Sequence, residues 1–183
     1  MLIKTQTVRR IPNTIPEGRR MTLSMRACAA WATLEEHDKV LDLACGDGQL
    51  LCHLNRCMRL TLCGLCETPE QARAVRETLM DVDVISGRMD DIPWRDTTFN
   101  AVLLSSGLPQ EDARRVLAET MRVLRAGGQL VLTVPFFRGE GGLSKREIMR
   151  LMQEAGYRAV SSRKALAGSV IVGWKKNEET NRN

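Results

Sequence analysis

One short run of this chain combines a carboxylate with two closely spaced glycines: Val40-Leu41-Asp42-Leu43-Ala44-Cys45-Gly46-Asp47-Gly48. Gly46 and Gly48 allow a tight turn and a close approach of a ligand to the backbone, because neither residue has a Cβ. Asp42 is expected near the carboxyl end of a strand, where open α/β sheets bind ligands. The helix that follows would direct its first amide groups to the same place. The run therefore predicts a ligand site formed by a strand, a turn and a helix.

The chemistry of that ligand follows from two details. A dinucleotide site needs a third glycine in the pattern Gly-x-Gly-x-x-Gly, and Leu51 occupies that position. The Asp42 carboxylate suits a cationic ligand and is unfavourable beside a pyrophosphate. A tight strand-to-helix turn without any ligand is the alternative interpretation of the glycines, and Asp42 favours the binding site.

The elements that must position this run alternate between short apolar strands and helices, which is typical of a parallel sheet covered on both faces. Strands are predicted at 40–44, 60–65, 82–86, 101–105, 129–134, 157–163 and 169–174. Because the last two strands follow each other directly, at least one strand must run antiparallel.

The predicted helices are delimited by local signals. A helix is predicted at about 21–34 before the first strand. Thr68-Pro69-Glu70-Gln71 forms a capping box with proline at the first helical position, so the second strand must end by about Cys66. Residues 110–124 have helical apolar periodicity, and Gly127-Gly128 is expected to end that helix. Ser144-Lys145-Arg146-Glu147 is a second capping box.

The first run resembles motif I of class I S-adenosylmethionine-dependent methyltransferases, in which an acidic residue precedes a glycine-rich turn. Residues 87–94 with 98–102 are similar to the family's third-strand loop and fourth strand, and 117–130 to the segment leading into the fifth strand. Together these matches cover about Val40 to Val134, and the chain looks like the small methyltransferases related to those of quinone biosynthesis. The resemblance implies a doubly wound α/β Rossmann-like sheet of about seven strands, order 3-2-1-4-5-7-6, in a three-layer αβα sandwich.

The resemblance also implies S-adenosylmethionine as cofactor, S-adenosylhomocysteine as product, and a role for each matching residue. The methionine part would contact Asp42, Ala44, Cys45, Gly46 and Gly48, and the ribose would contact Cys66 or Glu67. Met89 would pack on the adenine ring, and Asp90 would accept a hydrogen bond from the adenine amine. Ser105 and Ser106 would lie below the sulfonium.

The ribose position departs from the family pattern. Relatives have an acidic residue at the end of the second strand, and the aligned residue here is Cys66, with Glu67 following it. A thiol is a poor acceptor for two hydroxyl groups. Since successive strand residues point to opposite faces, Glu67 can take over only if the strand has already ended. The capping box favours Glu67; a solvated residue before a helix is the alternative. Arg88, where many relatives have an acid, is interpreted as a surface residue.

Composition limits the partners. The 183 residues suit a single methyltransferase domain over 1–183, with an N-terminal segment and helix at 1–36, a core at 37–176 and a polar tail at 177–183 predicted to be disordered. No apolar run reaches the roughly 18 residues of a membrane helix, and the first residues do not form a secretory signal. Six cysteines without an export signal indicate a reducing cytoplasm. No membrane association is expected, and a homodimer is left open.

A net charge of +5 raises the question of nucleic acid. The basic residues are scattered, and those of the helix after the fourth strand (Arg114, Arg115, Arg122 and Arg125) are expected to form i,i+4 pairs with its acids on a solvated face. The N-terminal arginines Arg9, Arg10, Arg19, Arg20 and Arg26 form the most basic stretch. A nucleic-acid surface is therefore not favoured, and Ser105-Ser106-Gly107-Leu108-Pro109 stands where nucleic-acid amino-methyltransferases have Asn/Asp-Pro-Pro-Tyr/Phe.

No metal site and no catalytic base are predicted. Cys63 and Cys66 have C-x-x-C spacing, but residues three apart in a strand tend to project from opposite faces. His37 is expected to be exposed before the first strand. An activated methyl donor needs mainly an acceptor held in line with it. The prediction is methyl transfer to a small-molecule acceptor beneath a mobile lid at residues 136–142; an RNA methyltransferase and a non-catalytic cofactor-binding protein remain as alternatives.

Overall fold

The computed structural model describes residues 21–136, 142–166 and 168–177. These residues form seven strands and five helices that alternate along most of the chain. In chain order they are α1 (Leu23–Trp31), β1 (Lys39–Leu43), α2 (Gln49–Cys57), β2 (Thr61–Cys66), α3 (Pro69–Thr78), β3 (Asp83–Ser86), β4 (Phe99–Leu104), α4 (Ala113–Val123), β5 (Leu124–Pro135), α5 (Lys145–Glu154), β6 (Arg158–Ala165) and β7 (Gly168–Trp174). The N-terminal arginines apart from Arg26, the tail after Asn177 and most of the predicted lid lie outside the described residues.

The strands form one sheet in the order β3-β2-β1-β4-β5-β7-β6, which confirms the predicted topology. The first five strands pair in parallel, as in the register Leu43↔Leu65 between β1 and β2. Strand β7 is antiparallel to both of its neighbours. The carboxyl ends of β1, β2, β3, β4 and β5 therefore meet at one edge of the sheet, where the predicted site residues lie.

Two apolar cores separate the sheet from its helices and confirm the three-layer sandwich. On one face α1, α2 and α3 pack against the sheet, with Cys28, Leu50 and Val75 buried. On the other face α4 and α5 do so, with Val116 and Ile148 buried. Successive side chains of a strand point to opposite faces of the sheet. Leu41 and Leu43 of β1 belong to the core under α4 and α5, so Asp42 between them lies on the face of α1 and α2.

Both capping boxes are present and fix where two helices begin. The Thr68 hydroxyl accepts from the Gln71 amide, and the Gln71 side chain accepts from the Thr68 amide. Ser144 and Glu147 form the same reciprocal pair at the start of α5. Strand β2 ends at Cys66, as the first box requires.

The prediction that Gly127-Gly128 ends the helix after β4 is wrong, although the helix ends within one residue of the predicted Leu124. Helix α4 ends at Val123, where the amide of Leu124 donates to the Thr120 carbonyl and the chain passes directly into β5. Gly127 and Gly128 lie inside this long strand. The strand shifts its register against β4 there, since consecutive pairs are Phe99↔Leu124 and Ala101↔Gln129. The apolar periodicity of the helix could not reveal the role of these glycines, because they lie in an irregular part of the strand and do not cap the helix.

The predicted i,i+4 pairs on α4 are also wrong, and Arg125 belongs to β5. Arg122 pairs with Glu119 at i,i+3 and with Asp96, and it donates to two backbone carbonyls of the loop before β4. Arg114 reaches Glu154 of α5. These arginines therefore tie α4 to neighbouring elements, because the ends of their long side chains find carboxylates and carbonyls across the packed surface.

Candidate functional site

The glycine-rich run forms a left-handed turn between β1 and α2. Ala44, Gly46 and Gly48 have φ values of 68°, 55° and 76°. The Cys45 amide donates to the Leu65 carbonyl at 2.9 Å, and the Gly48 amide donates to the Cys45 carbonyl at 2.9 Å. No side chain caps the start of α2, whose N-cap residue is Gly48. The turn thus places backbone amides at the carboxyl edge of the sheet, where they can meet a ligand.

The two glycines are needed for different reasons. A Cβ on Gly48 would lie 2.8 Å from Cγ1 of Val75, so this residue lets α3 approach the loop. A Cβ on Gly46 would meet nothing within 4 Å among the described residues. Gly48 therefore serves packing as well as the turn, whereas Gly46 leaves open space beside it.

Asp42 is a buried carboxylate without a described partner. The residue is 1% exposed, and neither carboxylate oxygen has a hydrogen-bond partner among the described residues. Burial, and secondarily the nearby Asp47 carboxylate, raise the pKa of Asp42 to about 7. A buried charge in this state is unfavourable unless a partner compensates it. The position therefore suits a ligand that carries a positive charge.

A cleft of about 620 Å³ opens beside this turn. Its walls come from the ends of β1, β2, β3 and β4 and from the start of α4. The lining residues are Ala44, Leu65, Cys66, Glu67, Ser86, Gly87, Arg88, Met89, Asp90, Ser106, Pro109, Asp112 and Val116. The fold thus brings six predicted site residues (Ala44, Cys66, Glu67, Met89, Asp90 and Ser106) around one cavity. Asp42, Cys45, Gly46, Gly48 and Ser105 are absent from this lining and belong to the adjoining strand ends and turns.

At the end of β2 the structure distinguishes Cys66 from Glu67. Cys66 is 1% exposed, and its Sγ lies 2.7 Å from Sγ of Cys45. Glu67 follows the last residue of the strand, is exposed, and lines the cleft. Because β2 has already ended before Glu67, its side chain can face the same cleft as Cys66 and act in its place. Its carboxylate is the acidic group at this end of the cleft.

A β-turn after β3 holds the pair Arg88 and Asp90. The Asp91 amide donates to the Arg88 carbonyl at 3.3 Å, which closes the turn. Nε and Nη2 of Arg88 each donate to one oxygen of Asp90 at 2.8 Å. This bidentate bond holds the pKa of Asp90 below its usual range, so the carboxylate stays ionised. Arg88 is exposed, as predicted, but it also lines the cleft and orients Asp90.

Sequence reasoning missed Arg88 as a wall of the site, together with Asp112 and Val116. The i,i+2 spacing of Arg88 and Asp90 on a short turn was a usable signal, because that spacing allows a bidentate contact. Asp112 and Val116 follow from the predicted helix after β4, whose start must face the same sheet edge.

Residues 40–128 match the family model described as a methyltransferase domain. The matched range begins with β1 and contains the glycine turn, the acidic residues and the loop after β4. This chain carries a methyltransferase domain. Its strand order and glycine-rich turn are those implied by the resemblance to class I S-adenosylmethionine-dependent methyltransferases.

Relatives that are themselves named methyltransferases support the assignment of a methyltransferase domain. The chain is 35% identical over 97 residues to a demethylmenaquinone methyltransferase of Thermotoga maritima, covering 52% of this chain and 42% of that protein. It is 33% identical over 133 residues to a demethylmenaquinone methyltransferase of Corynebacterium glutamicum, covering 70% of this chain and 56% of that protein. The methyltransferase chain thus spans about half the length of these relatives.

Solved structures share the fold at lower identity. A putative methyltransferase of Haloferax volcanii, in complex with the Trm112 methyltransferase activator, has a TM-score of 0.74 at 19% identity, covering 85% of this chain and 90% of that chain. The [4+2]-cyclase SpnF has a TM-score of 0.71 at 15% identity, covering 84% of this chain and 80% of that chain. Since a cyclase shares this architecture, the fold alone does not decide the reaction.

A second cleft of the methyltransferase, of about 410 Å³, adjoins the first and shares Met89, Ser106 and Pro109 with it. It lies at the ends of β4 and β5 and reaches the start of α5. The remaining lining residues are Gly107, Leu108, Thr133, Val134, Pro135, Gly142, Leu143 and Ile148. Ser105 is buried beneath this region, and its carbonyl accepts from the Thr133 hydroxyl at 2.8 Å. Ser106 therefore lies at the boundary of two connected cavities, the second of which is largely apolar.

Cys63, Cys66 and His37 lie where the sequence predicts them. Cys63 belongs to the core under α4 and α5, whereas Cys66 belongs to the opposite core, so the two project from opposite faces. His37 is exposed before β1. Across residues 21–136, 142–166 and 168–177, no three or more His, Cys, Asp or Glu side chains are grouped so that they could hold a metal ion. Nor does any helix in those ranges have the length and apolarity to cross a membrane.

Proposed function

We propose that this protein binds S-adenosylmethionine across the first cleft and transfers its methyl group to a small molecule in the second. The observation that carries the proposal is the buried, unpartnered Asp42 carboxylate beside the glycine turn. The cofactor's α-ammonium group is a cation of the kind this carboxylate lacks. When bound, the cofactor supplies an activated methyl group, and the residues of the chain bind, orient and enclose it.

Chemically suitable residues are available for each part of the cofactor. Asp42 with the turn from Ala44 to Gly48 would hold the methionine part. Glu67 would accept from the ribose hydroxyl groups at the end of β2. Met89 would pack against the adenine ring while Asp90 accepts from its exocyclic amine. All of these assignments are proposals drawn from position, burial and charge.

The acceptor side suits a small, partly apolar molecule. The shared position of Ser106 links the cofactor cleft to a cavity with Leu108, Val134 and Ile148 in its walls. Two relatives are named for a quinone acceptor, demethylmenaquinone, which supports a small-molecule acceptor here. Positioning the acceptor in line supplies much of the catalysis, and no general base is assigned. A cytoplasmic location is part of this proposal.

Calorimetry with S-adenosylmethionine, S-adenosylhomocysteine and NAD tests the cofactor assignment. We expect both sulfur compounds to bind and NAD not to bind, because the carboxylate of Asp42 repels a pyrophosphate. Tight binding of NAD with no response to either sulfur compound would contradict the proposal. Binding without formation of S-adenosylhomocysteine from any acceptor would instead identify a non-catalytic cofactor-binding protein.

The affinity for S-adenosylhomocysteine should depend on pH through Asp42. Below a pH of about 7 the free protein holds Asp42 protonated, whereas an ammonium ligand binds best to the ionised carboxylate. Raising the pH from 5.5 to 7 should therefore lower the dissociation constant by up to about tenfold per pH unit, with release of one proton. Calorimetry in two buffers of different ionisation enthalpy measures that proton. A flat profile in this range would exclude Asp42 as the ammonium contact.

Glu67→Gln tests the ribose assignment. Losing a charge-assisted hydrogen bond should weaken S-adenosylhomocysteine binding by roughly ten- to a hundredfold. Glu70→Gln is the matched control, because Glu70 is an exposed acid in the first turn of α3 outside the cleft lining. Calorimetry should show normal affinity for Glu70→Gln. Equal affinities for the two variants would mean that the ribose is held by another group.

A further inference from the structure

The Cys45 and Cys66 thiols lie in direct contact at the base of the proposed cofactor site. Their sulfur atoms are 2.7 Å apart. Cys45 is part of the glycine turn, and Cys66 ends β2 at the position where relatives have the ribose-binding acid. A pair of thiols thus lies at the base of the proposed cofactor site, and one of them stands where the family resemblance implies a carboxylate.

The backbone holds this pair together. The Cys45 amide donates to the Leu65 carbonyl at 2.9 Å, so the turn is already bonded to the strand next to Cys66. Sγ of Cys66 also lies 3.7 Å from the Gly46 carbonyl oxygen. A Cβ on Gly64 would come within 3.0 Å of Sγ of Cys45, which shows how closely this sulfur is confined. The two side chains therefore meet without any rearrangement of secondary structure.

We propose that Cys45 and Cys66 form a reversible intrachain disulfide that fastens the cofactor turn to the end of β2 under oxidising conditions. The sulfur atoms need to approach by about 0.6 Å to reach the bond length of about 2.05 Å. The inference rests on the proposed function only for its effect on cofactor affinity. The disulfide itself depends on the geometry of the two thiols.

The oxidation is balanced with hydrogen peroxide as the oxidant. The Cys66 thiolate attacks one peroxide oxygen, which gives the sulfenic acid of Cys66 and hydroxide. The Cys45 sulfur then attacks the Cys66 sulfur and displaces the hydroxyl group of the sulfenic acid, which leaves as water with the Cys45 proton. With the proton that Cys66 gave up and the hydroxide of the first step forming the other water, two thiols and one peroxide give one disulfide and two waters. Cys66 is the attacking thiol because it lines the cleft through which peroxide can enter.

The local electrostatics agree with this order and make the step slow. Burial raises the pKa of both thiols, most strongly that of Cys45. The hydrogen bond between them favours the thiolate of Cys66 over that of Cys45. Oxidation should therefore accelerate as the pH rises, since the thiolate is the nucleophile. A bound cofactor should slow it by closing the cleft.

The disulfide should change stability and affinity in opposite directions. The cross-link closes a loop between β1 and β2, so the melting temperature should rise by several degrees. The turn is expected to follow its sulfur by part of the approach of about 0.6 Å, and a misplacement of about 1 Å in a precise site costs on the order of a hundredfold. We expect S-adenosylhomocysteine to bind on the order of tenfold more weakly to the oxidised protein.

The test uses the full chain, treated with hydrogen peroxide and then with dithiothreitol. Mass spectrometry should show the loss of two hydrogens with a cross-link between Cys45 and Cys66, reversed by dithiothreitol. The matched control is Cys63→Ser, since Cys63 is buried in the same strand but faces the opposite core. Cys63→Ser should still form the cross-link, and Cys66→Ser should not.

Each result is decisive. No cross-link at Cys45 and Cys66, or the same oxidation in Cys66→Ser, would overturn the inference. If the cross-link forms but the reduced and oxidised proteins bind S-adenosylhomocysteine equally well, the proposed effect of the disulfide on the cofactor site is wrong. If the disulfide forms and S-adenosylhomocysteine binds neither form, the proposed function fails while the oxidation site stands.

Discussion

Asp42→Asn should stabilise the cofactor-free protein at pH 8 and abolish cofactor binding. The pKa of Asp42 is raised to about 7, mainly by burial. The folded state therefore binds more protons than the unfolded state between the usual carboxyl pKa and about 7, and stability falls as the pH rises through this window. At pH 8 the ionised carboxylate costs up to about 4 kcal/mol. A buried amide without partners recovers only part of that, so we expect a net gain of about 2 kcal/mol.

Urea denaturation at pH 8 and pH 5 measures this effect. The gain should be large at pH 8 and small at pH 5, where the Asp42 carboxyl group is neutral in the folded protein. Calorimetry on the same variant should detect no S-adenosylhomocysteine binding. Asp81→Asn, at an exposed carboxylate between α3 and β3, is the control and should change neither quantity. Loss of stability at pH 8 in Asp42→Asn would show that the carboxylate has a partner within the chain.

Gly48→Ala should destabilise the fold by about 3 kcal/mol, which is the sum of two effects. The residue has φ of 76°, a conformation that costs a residue with a Cβ about 1–2 kcal/mol. The new Cβ would also lie 2.8 Å from Cγ1 of Val75, and overpacking of this kind typically costs about 1–3 kcal/mol. Free energies of unfolding from urea titrations of the cofactor-free protein measure the total.

Two companion variants separate the effects. Gly46→Ala has a similar φ of 55° and open space around the new Cβ, so it should cost only about 1 kcal/mol. Val75→Ala removes the clashing methyl groups, and Gly48→Ala should therefore cost about 1–2 kcal/mol in that background. Equal costs for Gly48→Ala with and without Val75 would show that backbone conformation alone makes the glycine necessary.

The sequence by itself determined the cofactor turn, the two capping boxes and the alternation of strands and helices. These features depend on neighbouring residues, so a linear pattern contains them. The strand order came from the family resemblance, since no local rule specifies which parallel strands become neighbours. The signal that ends α4 was predicted wrongly, because the helix passes directly into a strand at Leu124 and the glycines that follow lie inside that strand.

Tertiary structure alone decided how the predicted residues act together. It showed that Asp42 is buried without a described partner, and that Glu67 and Cys66 both line the cleft while the Cys66 sulfur also contacts Cys45. Each of these is a contact, or a lack of one, between groups from separate segments. Sequence patterns specify which residues a strand or turn presents, but the distance between two such segments is set by the packing of the whole sheet.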